Sequence, residues 1–289
     1  MAGNVARDIV ASMATSEQPI GSLLREWRQR RRLSQLELAL EAEVSTRHLS
    51  FVETGRSTPS REMVLHLAER LEIPIRERNV LLLAAGYAPA FVERPLQDPA
   101  LASARQAVEL LLAAHEPWPA LAVDRHWTLL ASNRAVAPLL TGVAPALLRP
   151  PLNVLRLSLH PEGLAPRIAN LTEWRGHLFA RLSRQVSLTA DAGLAELLRE
   201  LRDYPAPALE APFPHPDRAA ASVVVPLCLT TDAGTLSFIS TSTVFGTPVE
   251  VTLAELALET FFPADAATAA ALRRLAEGYT SLPARESAT

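Results

Sequence analysis

Lysine is missing altogether from the 289-residue chain, so all 28 basic side chains are arginines. Alongside abundant alanine and proline this is the bias of a GC-rich coding sequence, and it carries no functional meaning. Cysteine occurs once, as Cys228. That excludes an intrachain disulfide and any zinc site built on paired cysteines, and the simplest setting is a reducing, cytoplasmic one. No uninterrupted apolar run approaches the roughly 18 residues of a membrane span. The first twenty residues also lack the basic-then-apolar order of a secretory leader. Glycine is sparse, at 11 residues, with no phosphate-cradling loop and no G-x-S-x-G elbow. No carboxylate pair is marked, and the seven histidines show no paired spacing on a helix face. An enzyme, for instance a hydrolase using His160-Pro161-Glu162-Gly163, is therefore disfavoured, and so is a metal centre. Flavin adduct chemistry would need a cysteine in a short helix, whereas Cys228 falls in a predicted strand. Haem would need one histidine set apart, and nothing distinguishes His126, His160 or His177.

The length is about twice that of a common single domain, so two domains are expected. Net charge is −3 overall but uneven: residues 1–92 carry 12 Arg against 11 acidic residues, and the remainder 16 against 20. Five arginines crowd into REWRQRRR (25–32). Around them run five short helical patterns. Leu23, Leu24, Trp27 and Leu33 share one side of the first. Ser34 with Glu37 forms a capping-box pattern before the second, about Gln35 to Ala42. Ser45 caps a third containing Leu49 and Val52, which ends at Gly55. Ser60 opens a fourth, and Pro74 separates it from a fifth at 75–89.

The spacing inside the second and third helices is that of a helix-turn-helix. Small Ala39 falls fifth from Gln35, where two helices cross, and Leu38, Ala42, Val44, Leu49 and Val52 fall at the shared core positions. The turn position that usually holds glycine is Glu43, a left-handed residue costing on the order of 1 kcal/mol. The segment resembles lambda-repressor-like, XRE-type domains through S-Q-x-x-L-A, S-T-x-x-L-S and E-x-G-R-x-x-P-S (53–60). The resemblance implies that the helix from Ser45 to Thr54 enters the major groove of double-stranded DNA. Thr46, Arg47, His48 and Ser50 are then the base-contact candidates, and Arg47 suits the O6 and N7 of a guanine. Gln35, Ser45, Arg56, Arg61 and Arg32 are the backbone-contact candidates, which set register rather than sequence preference.

FVERPLQDPA (91–100) reads as a linker, and Leu101–His115 as a helix that connects the domains or pairs with a partner chain. PALAVDRHWTLLASN (119–133) reads as two strands about an Asp-Arg-His turn, running into a helix at 133–140. Helices follow at about 152–159, 166–187 and 191–203. The proline-rich stretch 204–217, with His215, reads as a loop. Residues 222–252 are strand-rich, with Asp232-Ala233-Gly234 as a hairpin turn and Phe245-Gly246-Thr247-Pro248 as a second break. LAELALETFF and ADAATAAALRRLAEGY read as two closing helices. Two strands, a run of helices and three strands give a five-stranded antiparallel sheet with helices on one face, the order of a PAS-type sensor domain. The fold class is thus mixed: an N-terminal five-helix lambda-repressor-like unit and a C-terminal α+β PAS-like unit. The boundaries are a flexible 1–18, a DNA-binding domain 19–90, a linker and connecting helix 91–118, a ligand-binding domain 119–280 and a tail 281–289.

HPEGLAPRIANLTEWRGHLFARL (160–182), WTLLASNRA (127–135) and FGTPVEVTLAELALETFFPAD (245–265) resemble the ligand-binding domain of MmyB-like transcription regulators. That family joins an XRE-type module to a PAS-like domain. The resemblance implies a sequence-specific regulator holding a small apolar ligand, such as a long-chain fatty acid. From the residues themselves, an apolar tube between sheet and helices needs a cation and donors at one end. Arg167, His160 and Asn133 are the candidates for that end, with Trp127, Trp174 and Phe245 as walls. His160 and Asn133 also read as helix caps, and Trp174 as plain core. The functional expectation is a homodimer on a pseudo-palindromic operator whose affinity the ligand changes, with no membrane partner. The competing reading is a domain that only dimerises around a solid interior.

Overall fold

The structure, a computed structural model, describes residues 18–205 and 224–280. The expectations for residues 1–17, for the proline-rich stretch from 206 with His215, for Ser222 and Val223, and for the tail 281–289 lie outside them. The described chain divides into two compact units. One comprises the residues up to Arg94 with 187–189 and 248–254, and the other the remainder.

Five helices build the first unit: α1 Ile20–Arg30, α2 Gln35–Glu41, α3 Thr46–Glu53, α4 Arg61–Arg70 and α5 Ile75–Ala84. The caps fall where the sequence puts them. Ser34 Oγ accepts from Glu37 N (3.1 Å) while the Glu37 carboxylate accepts from Ser34 N (2.6 Å), closing the capping box before α2. Ser45 Oγ accepts from His48 N (3.1 Å) and Ser60 Oγ from Met63 N (3.2 Å). Each such cap is worth about 1 kcal/mol. Glu43 takes the left-handed conformation the turn demands, at φ +53°. Leu24, Leu38, Leu49, Val64, Leu67 and Leu82 are all but fully buried in the shared core. A Cβ on Gly21 would meet the carbonyl oxygens of Val52 and Glu53, so glycine lets α1 cross the end of α3 at backbone distance.

Arg28 is the exception in the arginine run. It is buried, and its guanidinium donates to both carboxylate oxygens of Glu53 (2.6 and 2.9 Å) and to Leu33 O (2.7 Å). Gln35 Nε2 adds a third donor to Glu53 (2.7 Å). Thus α1, the start of α2 and the end of α3 converge on one buried carboxylate. Arg31 is also structural: it donates to Leu71 O (2.8 Å) and Glu72 O (2.9 Å). The late segment 248–254 belongs to this unit. Val251 N donates to Val92 O (2.9 Å), and Glu250 accepts from Arg94 N (2.7 Å) and from Leu253 N (3.0 Å).

The second unit holds α6 Ala102–Ala114, β1 Ala120–Val123, β2 Leu129–Ser132, α7 Val154–Leu159, α8 Leu171–Thr189 except for its last three residues, and α9 Ala192–Asp203. β3 Leu227–Thr231, β4 Gly234–Val244, β5 Ala257–Pro263 and α11 Ala266–Thr280 complete it, while α10 Val251–Ala254 lies in the first unit. The sheet is antiparallel throughout in the order β2-β1-β5-β4-β3, a PAS-like arrangement. Successive side chains alternate across it. Leu121, Leu227, Leu229, Leu236 and Phe238 belong to the main core, which also takes in Trp174, Leu178 and Leu182 of α8, and half-buried Phe261 packs against it.

Two expectations are corrected. LAELALETFF is not a helix: only residues up to Ala254 are helical, and 257–263 form β5, so the third late strand is this one and not Val249–Thr252. Alanine, leucine and glutamate favour a helix locally, but pairing with β1 on one side and β4 on the other decides the conformation. The helix expected at 133–140 is a turn followed by a single 3-10 turn, Ala137–Leu140, because Pro138 lacks the N–H a continuous helix needs.

A DNA-reading helix and an apolar cavity

On α3, Thr46 and Arg47 are exposed and His48 and Ser50 half-buried. Ser45, just ahead of it, spends its hydroxyl on the cap. The Arg47 guanidinium lies 5.3 Å from the centroid of Phe51, and Arg56 lies 6.0 Å from the same ring. Phe51 therefore props two arginines beside the helix. Arg32 (φ +59°) and Arg61, the first residue of α4, are exposed. Gln35 is turned inward onto Glu53, which leaves its backbone N–H at the start of α2 as the group available to a phosphate.

The second unit holds a cavity of about 110 Å³ between α7, α8 and the inner face of the sheet. Leucine, valine, tryptophan and phenylalanine make up most of its wall, and its polar lining residues are Ser158, Arg181, Ser240 and Glu259. A cleft of about 130 Å³ lies elsewhere, beside Glu116, Arg134 and Leu272, and its wall is more polar. The apolar cavity is the better ligand candidate, because its wall is almost wholly apolar.

Of the six ligand candidates, Trp127 and Trp174 line the cavity. The other four candidates lie outside its wall. Arg167 donates to three backbone carbonyls, Thr230 (3.1 Å), Leu139 (3.1 Å) and Thr141 (2.6 Å). Asn133 is buried and spent on the backbone: Oδ1 accepts from Ala120 N, and Nδ2 donates to Leu112 O and Trp118 O. His160 follows α7, with Nδ1 accepting from Glu162 N (3.0 Å) and its ring edge-on to Tyr204. Phe245 follows β4 and is half-buried. These polar groups answer unsatisfied backbone at element ends, which must be paired when buried.

The cation that does face the cavity is Arg181, on α8. It donates to the Glu259 carboxylate from Nη1 (2.9 Å) and Nη2 (2.6 Å) and also to the Ser242 hydroxyl, and it lies over the Trp127 ring 4.4 Å from the centroid. Ser242 in turn donates to Glu259 (2.6 Å). Glu259, on β5, is 4% exposed. His177, stacked on Trp174, is held below the usual imidazole range by burial and by the nearby Arg181 charge, against the pull of Glu259. Of the two charged residues, Arg181 had a sequence signal. Arg181 stands seven residues after Trp174, on the stripe of Leu178 and Leu182, where a charge is out of place. Glu259 had none, because its inward alternation with Phe261 belongs to a strand, β5, that the sequence reads as a helix.

Trp127 is oriented by a strained turn. Its φ is +66°, a conformation costing a non-glycine residue on the order of 1 kcal/mol, and its Nε1 donates to Gln185 (2.9 Å). Asp124 Oδ1 closes the turn by accepting from His126 N and Thr128 N. Beyond it, His126 Nε2 (3.0 Å) and Arg125 (3.2 Å) meet Asp191, which caps α9 through Leu194 N. Burial acts to raise the Asp191 carboxyl. The His126 hydrogen bond and charge, the Leu194 N–H and Arg125 outweigh it and hold it well below the usual carboxylate range. A lowered folded pKa contributes stability that is complete above the unfolded value of about 3.9 and is lost as pH falls below it. Asp191→Asn keeps the cap and removes the charge. It is expected to cost about 2 kcal/mol at pH 7 and to flatten the fall of the urea midpoint between about pH 5 and pH 2. Parallel wild-type and variant curves would exclude this role.

A helix-turn-helix unit joined to a PAS-like sheet around an apolar cavity is the construction of a DNA-binding regulator with its own ligand-binding domain. Residues 104–275 match the family described as the MmyB-like transcription regulator ligand binding domain, and residues 24–78 match the helix-turn-helix family. The chain belongs to the MmyB-like transcription regulators. A comparison with curated proteins gives no match. Among solved structures, "Structure of an RNA-binding Light-Oxygen-Voltage Receptor" is 12% identical, with 96% of this chain and 67% of that chain covered and a TM-score of 0.24, too low to support any argument. No described helix is long and apolar enough to cross a membrane.

Proposed function

We propose that the protein is a cytoplasmic, homodimeric transcription regulator, without catalytic activity, whose operator affinity is set by a small apolar ligand in the cavity behind Trp127 and Trp174. The observation that carries this reading is the apolar cavity itself, in a chain that also presents Thr46 and Arg47 on a capped helix. Two copies of α3 about 34 Å apart would read successive major grooves of a pseudo-palindromic operator. A ligand acts by binding one arrangement of the dimer more tightly than another. The acyl chain of a fatty acid matches the wall chemically. At about 110 Å³ the space is close to that of apolar cavities that bind benzene, about 150 Å³, so a long chain must displace lining side chains or extend out of the cavity.

Native mass spectrometry of the purified protein, with extraction of what it releases, tests the reading. A stoichiometric apolar molecule, and a shift in operator affinity on its removal, are expected. The small volume favours one competitor, a sheet domain that only dimerises. Protein that takes up nothing after incubation with lipids would select it. For the DNA module, Arg47→Ala is expected to cost about 1–3 kcal/mol at one operator position and to relax specificity there. Equal loss on every sequence in a binding-site selection would make Arg47 a phosphate contact.

A further inference from the structure

We propose that the cavity selects an uncharged ligand, one whose head is a hydroxyl, ester, amide or ketone rather than a carboxylate. This rests on the reading of the cavity as a ligand site. The argument is one of charge. The cation lining the cavity, Arg181, is matched by the anion beside it, Glu259, through two hydrogen bonds. Its ring-facing side is taken by Trp127, and Ser242 bridges the pair. With His177 neutral near pH 7 for the reasons given above, the polar end of the cavity carries no net charge.

A carboxylate entering this end meets Glu259 as a like charge. To take Arg181 for itself it must strip the guanidinium from Glu259, leaving that carboxylate buried and uncompensated. A neutral head meets neither obstacle, and two hydroxyls on the wall are suited to it. Ser158 Oγ accepts from Trp174 Nε1 (3.0 Å), which leaves its own proton to donate. Ser240 sits between Phe238 and Ser242 on the inward face of β4, and among the described residues no group hydrogen-bonds its hydroxyl. One acceptor and one donor on a compact apolar body would satisfy both. If the ligand has an acyl chain, it therefore enters as an alcohol, ester or amide.

The test is calorimetric titration of the full chain at pH 7 with 1-hexanol against hexanoate, and 1-decanol against decanoate, in wild type and in E259Q. Wild type is expected to bind the alcohols about tenfold or more tightly than the acids. Glu259→Gln frees the Arg181 charge, so the acids are expected to gain about tenfold or more while the alcohols change little. An acid bound by wild type as tightly as its alcohol would overturn the proposal and leave the apolar-ligand reading standing. Failure of all four probes would bring down both. The wild-type comparison decides the matter even if E259Q does not fold.

Discussion

Replacing Glu53 by alanine is expected to destabilise the helical unit by about 3–5 kcal/mol and to abolish operator binding with it. The side chains of Arg28 and Glu53 are 9% and 1% exposed, so the truncation strands a guanidinium out of reach of water. Gln35 loses its acceptor in the same step. The magnitude belongs to the orphaned charge rather than to the attraction itself. Glu53→Gln, which keeps an acceptor, should therefore lose less, and a paired Arg28→Met, Glu53→Leu replacement less again. Guanidinium unfolding followed by circular dichroism separates the three. If E53A keeps the wild-type midpoint, the pair is not what fixes α3 against α1. DNA binding is expected to fall with stability because Glu53 is the last residue of α3, whose first half carries Thr46 and Arg47.

Phe238→Ala is the second large effect, with an expected cost of about 3–5 kcal/mol. Phe238 is 1% exposed on β4, packs edge-on to Phe261 at 6.2 Å and lines the cavity. Its removal joins new space to an existing void, so little of the loss is recovered by collapse. The variant should also respond to ligands differently. Benzene-sized apolar molecules are expected to raise its melting temperature more than that of wild type, since binding to the folded state alone stabilises it. A thermal scan with and without saturating toluene measures this. A variant as stable as wild type, or one indifferent to toluene, would mean that the residues around Phe238 close over the gap.

The helix-turn-helix could be read from sequence because its determinants are local. The Ser34–Glu37 box, the Ser45 and Ser60 caps and small Ala39 each act within a few residues of their partners. Even the costly Glu43 was visible, as a missing glycine. β5 was not, since its strand state comes from β1 and β4 and not from its own residues. The polar end of the cavity was concealed in the same way, because Arg181 and Glu259 are 78 positions apart. Arg167 and Asn133 drew attention as polar residues at element boundaries. Boundaries are where backbone groups lack partners, and that is what both residues serve.

β5 has one further consequence, for a chain still leaving the ribosome. It is last of the five strands in order of synthesis and third in order of space. Until residue 263 has emerged, β1 and β4 each keep an open row of donors and acceptors with nothing to meet it. The helical core, built from neighbours in sequence, can form early. The sheet must wait, and loop closure over more than a hundred residues makes that step slow. Nascent chains stalled or cut before Ala257 thus expose two sticky edges at once, the kind of surface that captures other chains. Aggregation during expression should concentrate in such truncated products while full-length protein stays clear of it.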